Sequence, residues 1–495
     1  MINMTISKAA ELLGCTDLGG NTAGNNAAEF KGITTDSRQV VPGMLFAALA
    51  GANFDGHDYL DNAVADGAVA VLVSRDINFR DTAASVPVLQ VEDMLAALAA
   101  LAKYWRKHCP ARCIGITGSN GKTTVKEMIA SILRQSGKAQ SSKVLATEGN
   151  FNNELGLPLT LFRLDTSHDF AVIEMGAAKP GDIAYLAGIA KPEVGLIINI
   201  GPAHLQGFGS VEGVARAKGE MYAALPKGGT AIMNFAEPWL DLWKDMNHAR
   251  SIQYFNGEVD RSGSANQQQG AGPKDSAGQE ESFRGHVTAR YQGQDIIVST
   301  PAGEFTLLLP LPGDHNLTNA LAATAACLAV DVSLQDIKAG LECVKPVPGR
   351  LNLKRSVSGW TVIDDTYNAN PASLYAALQV LANQEGEPWL VLGDMKELGD
   401  DSRKMHAELG DAARDFGVKR LYALGEASAA TVDAFGDDAY HFDNRDGLIR
   451  ALCSELHPGV ACLVKGSRSM GMEHVVSAIS SKHSCQEATK LMATN

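Results

Sequence analysis

The chain has 495 residues, which is too long for one domain and predicts roughly two to four. A hydrophobic content of 45% and a charged content of 20% are typical of a soluble globular protein. The net charge of -13 argues against broad nucleic-acid binding, because that needs a basic face.

The N-terminal stretch has no basic segment followed by an apolar one, so it does not resemble a signal peptide. No uninterrupted apolar run reaches the roughly 20 residues of a membrane span. We therefore expect a cytoplasmic protein. The eight cysteines are scattered, and although Cys109 and Cys113 lie near His108, no second pair completes a zinc site. Reduced thiols are the expectation.

The N-terminal part alternates strand-like runs with turns, as in GMLFAALAG, GAVAVLVS and VPVLQV. The alanine-rich stretch DMLAALAALAKYWRKH then predicts a helix. The apolar run CIGIT, a glycine loop and the helical pattern of KEMIASILRQ follow. Further strand-like runs, FAVIEMG, VGLIINIG and GTAIMNF, alternate with helical segments. This alternation predicts a parallel sheet covered by helices on both faces.

Residues 257–285 are rich in Gly, Ser and Gln and predict a flexible surface loop. A helical stretch, NLTNALAATAACLAV, follows, and CVKPVPGR indicates a linker. The runs WTVIDD, PWLVLGD, RLYALG and ACLVKGS then predict a third, smaller α/β unit. The tail from Lys482 is polar, and we expect it to be loose.

The prediction is an α/β protein of three domains. They cover residues 1–92, residues 93–345 with the loop at 257–285, and residues 346–495. The central one carries a phosphate-loop type of parallel sheet, and the last one is Rossmann-like.

The glycine loop lies in ITGSNGKTTVKEM, residues 116–128. It departs from the strict phosphate-loop pattern, because the first glycine of that pattern falls on Ile116. A strand before it and a helix after it are nevertheless the context that phosphate binding requires. We expect Lys122 to reach the β- and γ-phosphates, and Thr123 to offer its hydroxyl to Mg²⁺.

Polar side chains follow two more of the predicted strands. Glu174 ends FAVIEMG and is either a Mg²⁺ ligand or a salt-bridging glutamate at the rim. His204 follows VGLIIN and is a metal ligand, a proton handler or a structural histidine. Lys218 and Glu220 lie on a predicted helix, where spacing alone favours a solvated face.

A polar cluster, DDTYNANPAS, follows a predicted strand of the third unit. It suits ribose hydroxyls or a substrate, although a turn rich in Asp and Asn is also ordinary local chemistry. Its functional candidates are Asp364, Asp365, Tyr367, Asn368 and Asn370.

Several of these motifs together resemble one family. TGSNGKTT, EGNFNNELGLPLT, EMG, NIGPAHLQGFGS, AKGE, GDHNLTNALAA, PGR, DDTYNANP and KGSR occur in the order and spacing of the Mur ligases. Those are ATP-dependent amide-bond ligases of peptidoglycan precursor synthesis. Their phosphate loop also lacks the first glycine of the strict pattern.

The resemblance implies an activity. The segments GNFNNELGLPLTL and GDMKELG are similar to the branch that joins D-Ala-D-Ala to UDP-MurNAc-tripeptide, and the DNPR signature of the diaminopimelate-adding branch is absent. ATP and Mg²⁺ would be required, and the tripeptide carboxylate would be activated as an acyl phosphate. A monomer is expected. A sibling ligase that adds a single amino acid, or glutamate to folate, stays open, as does a phosphate-loop protein that is not a ligase.

The resemblance also implies roles for individual residues. Lys218 matches a lysine that is often carbamylated by CO₂, which turns a cation into a carboxylate. Asn316 would lie near the adenine, Asp365 would hold the ribose, and Arg350 would reach the phosphates as the third domain closes over ATP and keeps water out.

These implied residues fall into four overlapping groups. The catalytic group is Lys122, His204, Lys218 and Arg350. The nucleotide group is Gly118, Ser119, Asn120, Gly121, Lys122, Thr123, Thr124, Asn316, Arg350 and Asp365. The metal group is Thr123, Glu174, His204 and carbamylated Lys218. The substrate group is Thr35, Asp36, Ser37 and Arg38 for the UDP-sugar, with Asn152, Tyr367 and Asn368.

Overall fold

A computed structural model describes residues 1–15, 28–51, 54–75, 86–136, 142–202, 204–247, 251–257 and 286–493. The predicted loop at 257–285 lies, beyond Gly257, outside the described residues. Within the described ranges no helix is both long and apolar enough to cross a membrane.

The N-terminal part is built on a parallel sheet with the strand order β3-β4-β5-β6. Successive side chains of a strand point to opposite faces. Phe46 and Val71 therefore pack into one core, while Leu45 and Leu72 pack into another that is shared with the central part. The elements are β1 Asn3–Thr5, α1 Ile6–Leu13, β2 Glu29–Lys31, β3 Ile33–Thr34, β4 Leu45–Ala47, α2 Leu60–Ala65, β5 Ala70–Val73 and β6 Val88–Gln90.

The central part has a parallel sheet in the order β12-β11-β10-β7-β9-β8. The inner strands of this sheet are mostly apolar and buried, because helices cover both faces. The strands are β7 Arg112–Thr117, β8 Val144–Ala146, β9 Phe170–Glu174, β10 Val194–Ile197, β11 Thr230–Asn234 and β12 Ser251–Phe255. A smaller antiparallel sheet consists of β13 Thr288–Gln292, β14 Asp295–Thr300 and β15 Gly303–Leu307.

Helix α4, Lys122–Gln135, shows why the central helices form where they do. Its buried residues Val125, Met128, Ile129 and Ile132 recur at helical spacing and pack against the sheet. The other central helices are α3 Met94–Arg106, α5 Gly156–Phe162, α6 Asp182–Ala190, α7 Leu205–Phe208, α8 Val211–Ala223, α9 Leu240–Met246, α10 Asp314–Leu328 and α11 Leu334–Glu342.

The C-terminal part has the strand order β16-β17-β21-β18-β19-β20, with β16 antiparallel to its neighbour. Its strands are β16 Asn352–Arg355, β17 Thr361–Asp365, β18 Glu387–Gly393, β19 Arg420–Leu424, β20 Ala439–Phe442 and β21 Val460–Lys465. Its helices are α12 Pro371–Ala382, α13 Ser402–Asp415, α14 Ala429–Phe435, α15 Arg445–Glu455, α16 Glu473–Ile479 and α17 Lys482–Ala493.

The C-terminal tail corrects two expectations. Residues 482–493 form α17 rather than a loose tail, and Cys485 is buried in the core of this part. Cys453 on α15 is disulfide-bonded to Cys485, with their Cα atoms 5.2 Å apart, so the expectation of reduced thiols is wrong for this pair. The two cysteines are 32 residues apart in sequence, and only the packing of α17 on α15 brings them together.

Candidate active site

One cavity of about 1200 Å³ lies between the central and C-terminal parts. Residues that follow the carboxyl ends of β7, β9 and β10 line it from one side, and residues that follow β17 and β21 line it from the other. The carboxyl edge of a parallel sheet is where ligands of α/β proteins usually bind. The topology thus places the predicted motifs of both parts in one site.

The predicted phosphate loop joins β7 to α4. Gly121 caps the helix with a φ of 83°, and a Cβ there would lie 2.5 Å from the Oδ1 of Asn319, so a side chain has no room. The Nζ of Lys122 donates to the carbonyl of Gly118 at 2.8 Å. Burial lowers the pKa of Lys122, Glu174 opposes that shift, and Arg350 adds to it. The loop therefore places the N-terminus of α4 and the side chain of Lys122 where an anion can bind.

A hydrogen-bonded chain links the loop to both sides of the cavity. The Thr123 hydroxyl donates to the Oε2 of Glu174 at 2.9 Å and accepts from the guanidinium of Arg350 at 3.0 Å. The other carboxylate oxygen of Glu174 accepts from Asn152 at 2.7 Å. Glu174 is only 2% exposed. Four of the predicted site residues are thus in direct contact.

Arg350, the member of this hydrogen-bonded series from the C-terminal side, lies in the segment between α11 and β16. Its guanidinium carbon lies 4.2 Å from the ring centre of Tyr367, and Gly349 before it has a φ of 72°. Its buried Nε has no hydrogen-bond partner among the described residues. Since an unpaired buried donor is costly, this side chain is prepared for an anionic ligand.

Lys218 is 2% exposed, so the expectation that it lies on a solvated helix face is wrong. It lies on α8, and its Nζ forms no hydrogen bond or ion pair with any other described residue. Burial, reinforced by Lys122, lowers the pKa of Lys218 well below the usual lysine value. Both effects act against the charged form of the amine.

His204 precedes α7 in a left-handed conformation with a φ of 52°. Its Nδ1 lies 2.6 Å from the Oε2 of Glu397, which comes from the turn after β18. Burial lowers the pKa of His204, Glu397 raises it, and Lys122 and Lys218 lower it further. The histidine thus pairs with a carboxylate from the opposite part and is influenced electrostatically by Lys122 and Lys218.

The far end of the cavity carries the residues expected around the nucleoside. The carboxylate of Asp365 accepts from the Nζ of Lys465 at 2.5 Å and from the backbone N–H of Leu351 at 3.2 Å. Asn316, which is buried, donates to the carbonyl of Pro312 at 2.7 Å. His315 also lines the cavity, and burial lowers its pKa.

Sequence reasoning assigned no role to Lys465, Glu397, Asn319 or His315. Their motifs KGSR, GDMKELG and GDHNLTNALAA were noticed, but pairing across two sheets depends on the tertiary fold. Among predicted substrate residues, Asn152, Tyr367 and Asn368 do line the cavity. The segment 35–38 lies outside that lining, and Arg38 there pairs with Asp36 at 2.8 Å.

The described residues contain no cluster of three or more His, Cys, Asp and Glu side chains arranged for a metal. Mg²⁺ does not require such a cluster, because it commonly keeps water and uses one or two carboxylates together with substrate phosphates. The buried carboxylate of Glu174 beside the Thr123 hydroxyl is a donor set of that kind. The residues present therefore fit Mg²⁺ next to a nucleotide.

A phosphate loop on one parallel sheet, faced by an arginine and a polar cluster from a second α/β part, defines a nucleotide-dependent enzyme. Matches of the sequence to protein-family models define the class of enzyme more narrowly. Residues 29–106 match the Mur ligase family catalytic domain, residues 116–327 match the Mur ligase middle domain, and residues 349–468 match the Mur ligase glutamate ligase domain. The chain belongs to the Mur ligase family.

Curated relatives and solved structures agree with this assignment. UDP-N-acetylmuramoyl-tripeptide–D-alanyl-D-alanine ligase of Escherichia coli K12 is 40% identical, over 98% of this chain and 100% of that protein. The ligase of the same name from Haemophilus influenzae is 41% identical, over 93% and 96%. MurF from Acinetobacter baumannii has a TM-score of 0.82 at 32% identity, over 97% and 99% of the two chains. MurF from Thermotoga maritima, solved with ADP, has a TM-score of 0.74 at 27% identity, over 92% and 98%.

Proposed function

We propose that this enzyme joins D-Ala-D-Ala to UDP-MurNAc-tripeptide and converts ATP to ADP and phosphate as it does so. Relatives of that name cover nearly the whole chain at 40% and 41% identity. The observation that carries the proposal is the contact of Arg350 with Thr123, because it brings a second cation to the phosphate loop from the opposite sheet. A phosphoryl transfer between two anions needs that concentration of positive charge.

The reaction has two steps. An oxygen of the terminal carboxylate of the tripeptide attacks the γ-phosphorus of ATP, and ADP leaves with the electrons of the broken P–O bond. The amine of D-Ala-D-Ala then attacks the carbonyl carbon of the acyl phosphate, phosphate leaves, and the nitrogen loses a proton. Lys122 and Arg350 offset the charge that gathers on the phosphoryl oxygens.

The metal and the carbamate belong to the same proposal. Glu174 and Thr123 would hold Mg²⁺, with His204 and the carbamate of Lys218 at a second position; bound Mg²⁺ neutralises phosphate charge. Carbamylation joins the neutral Nζ of Lys218 to CO₂ and releases one proton. Its support is the burial of this lysine without a partner among the described residues.

The division of labour among the parts is also proposed. Residues 1–92 would bind the UDP-sugar through the segment 35–38, residues 93–345 would bind ATP, and residues 346–495 would close over it. The adenine would lie near Asn316, and the ribose near Asp365. We place the enzyme in the cytoplasm as a monomer.

An isotope experiment tests the acyl phosphate. UDP-MurNAc-tripeptide labelled with ¹⁸O in its terminal carboxylate is converted in the presence of Mg-ATP and D-Ala-D-Ala. The released phosphate should carry one ¹⁸O, because the attacking oxygen stays on phosphorus when the amide forms. Unlabelled phosphate accompanied by pentapeptide would overturn the proposed route.

A further inference from the structure

The motif GDMKELG carries a side chain that the reaction above does not use. Glu397 belongs to the turn that follows β18, on the C-terminal side, yet its carboxylate contacts a side chain of the central part. The Oε2 of Glu397 lies 2.6 Å from the Nδ1 of His204. Both residues have positive φ values, 65° for Glu397 and 52° for His204, which are uncommon for residues other than glycine.

The framework around Glu397 explains why its backbone keeps this conformation. The N–H of Met395 donates to the Nε2 of the fully buried His406 at 3.1 Å. The N–H of Lys396 donates to the Oγ of Ser467 at 2.8 Å. Leu398, on the other side, is buried in the core. The turn is therefore anchored before and after Glu397, whose side chain is 61% exposed.

The backbone around His204 is also held in place by hydrogen bonds and packing. Its carbonyl accepts from the N–H groups of Gly207 and Phe208 at 2.9 and 3.2 Å, which starts α7. Phe208 is buried and ties that helix to α8 through Val214 and Ala217. Two anchored segments, one from each part, thus meet through one pair of side chains.

The geometry points to Glu397 as a positioning residue for His204, effective when the C-terminal part is closed on the central part. This inference rests on the proposed function, which places His204 in the catalytic site. A carboxylate at Nδ1 fixes the proton on that nitrogen, orients the ring and leaves Nε2 as the free acceptor. Since Glu397 comes from the opposite part, the histidine would be oriented only after closure.

The chemical consequence concerns timing. In an open enzyme the imidazole can rotate and exchange its two tautomers. Closure adds the carboxylate, and His204 then presents a lone pair on Nε2 to the cavity, which it lines. A metal ion or a proton at that place is bound better by an imidazole held in one tautomer and orientation. Activation of His204 would thereby be linked to enclosure of the reactants.

The test compares three variants of the full-length enzyme. Glu397→Ala removes the acceptor, and Glu397→Gln keeps a neutral carbonyl oxygen that still accepts from Nδ1–H. Glu426→Ala is the control, because Glu426 is an exposed glutamate after the next strand, β19. Turnover is measured with Mg-ATP, UDP-MurNAc-tripeptide and D-Ala-D-Ala, and thermal unfolding checks that each variant is folded.

We expect Glu397→Ala to lower turnover by roughly 10- to 100-fold, as the loss of a carboxylate behind a functional histidine typically does. Glu397→Gln should recover part of that loss, and Glu426→Ala should match the parent enzyme. Parental turnover of Glu397→Ala, or a Gln variant as poor as the Ala variant, would overturn the inference.

A second experiment observes the His204 ring directly by NMR. The enzyme is labelled with ¹⁵N-histidine and His204→Gln assigns the signal. With UDP-MurNAc-tripeptide and a non-hydrolysable ATP analogue bound, the parent should show a protonated Nδ1 and an unprotonated Nε2, and Glu397→Ala should lose that pattern. An unchanged His204 signal in Glu397→Ala would contradict the inference. Failure of the proposed function would differ, since the parent enzyme would then release no phosphate in response to D-Ala-D-Ala.

Discussion

Arg350 is the residue on which the proposed phosphoryl transfer depends most. Replacing it with alanine should lower kcat by about a hundredfold or more, because one donor to the developing charge and the hydrogen bond to Thr123 are lost together. Steady-state kinetics with all substrates measures this. Arg355→Ala is the matched control, since Arg355 is an exposed arginine at the end of β16. Equal losses in both variants would count against a specific role.

Lys218 gives a prediction that depends on pH and CO₂. Its pKa is lowered by burial, so the neutral amine is populated below the usual lysine range and can react with CO₂. As pH falls through that lowered pKa, the amine would protonate and the proposed carbamate would be lost. Activity in CO₂-depleted buffer should therefore fall as pH falls and recover on addition of bicarbonate.

The direct measurement for Lys218 is ¹³C NMR with ¹³C-bicarbonate. A carbamate signal should appear in the parent enzyme and be absent in Lys218→Arg. If the parent shows no such signal while remaining fully active, Lys218 works as an amine.

For individual residues, the sequence predicted some neighbours in the cavity and not others. Lys122, Thr123 and Glu174 belong to a strand–loop–helix pattern whose chemistry is local, and the structure brings them together. Lys218 looked solvated because helical spacing does not tell which face is covered. Glu397 was missed for a related reason: its partner is 193 positions away in another sheet, as the numbering of His204 and Glu397 shows.

The phosphate loop as an element depends on Gly121. Gly121→Ala should weaken nucleotide binding roughly tenfold or more, because the added Cβ would meet the Oδ1 of Asn319 and force the loop to shift. Gly228→Ala is the control, since Gly228 has a similar φ of 81° and open space around its Cβ position. Both variants carry the strain of a left-handed alanine, roughly 1–2 kcal/mol.

Calorimetric titration with ADP distinguishes the effects of the two substitutions. Gly121→Ala should lose affinity, whereas Gly228→Ala should lose stability alone. Equal ADP affinity in both variants would show that the loop tolerates the side chain.

Elements were predicted best where their pattern is strong. The apolar runs that became β7, β9, β10 and β18 were visible as buried strands, and α4 was visible from its helical spacing. The tail at 482–493 was mistaken for a loose segment because its composition is polar. It is a helix whose buried Cys485 packs against the C-terminal core, a contact that composition does not show.

Among the described residues, the central and C-terminal parts are in contact. Beyond the pair formed by Glu397, the Nδ2 of Asn370 donates to the Oδ1 of Asn120 in the phosphate loop at 2.8 Å. Asn370 also caps α12 through its own Oδ1. Asn370→Ser should keep the cap, because serine caps helices about as well, and lose the contact across the cavity.

We expect Asn370→Ser to raise the KM for ATP by roughly fivefold, the equivalent of about one net hydrogen bond. Small-angle scattering with both UDP-MurNAc-tripeptide and an ATP analogue should show a larger radius of gyration than for the parent. Asn444→Ser is the control, because Asn444 caps α15. A compact Asn370→Ser complex with parental KM would mean that this contact does not stabilise closure.

The central claim is that the enzyme uses ATP to join a dipeptide to a UDP-linked tripeptide. Its most direct test is phosphate release from Mg-ATP with UDP-MurNAc-tripeptide, comparing D-Ala-D-Ala with a panel of single amino acids, followed by mass spectrometry of the product. We expect release with the dipeptide and a product heavier by D-Ala-D-Ala. Release with a single amino acid instead would contradict it and make the enzyme a sibling ligase.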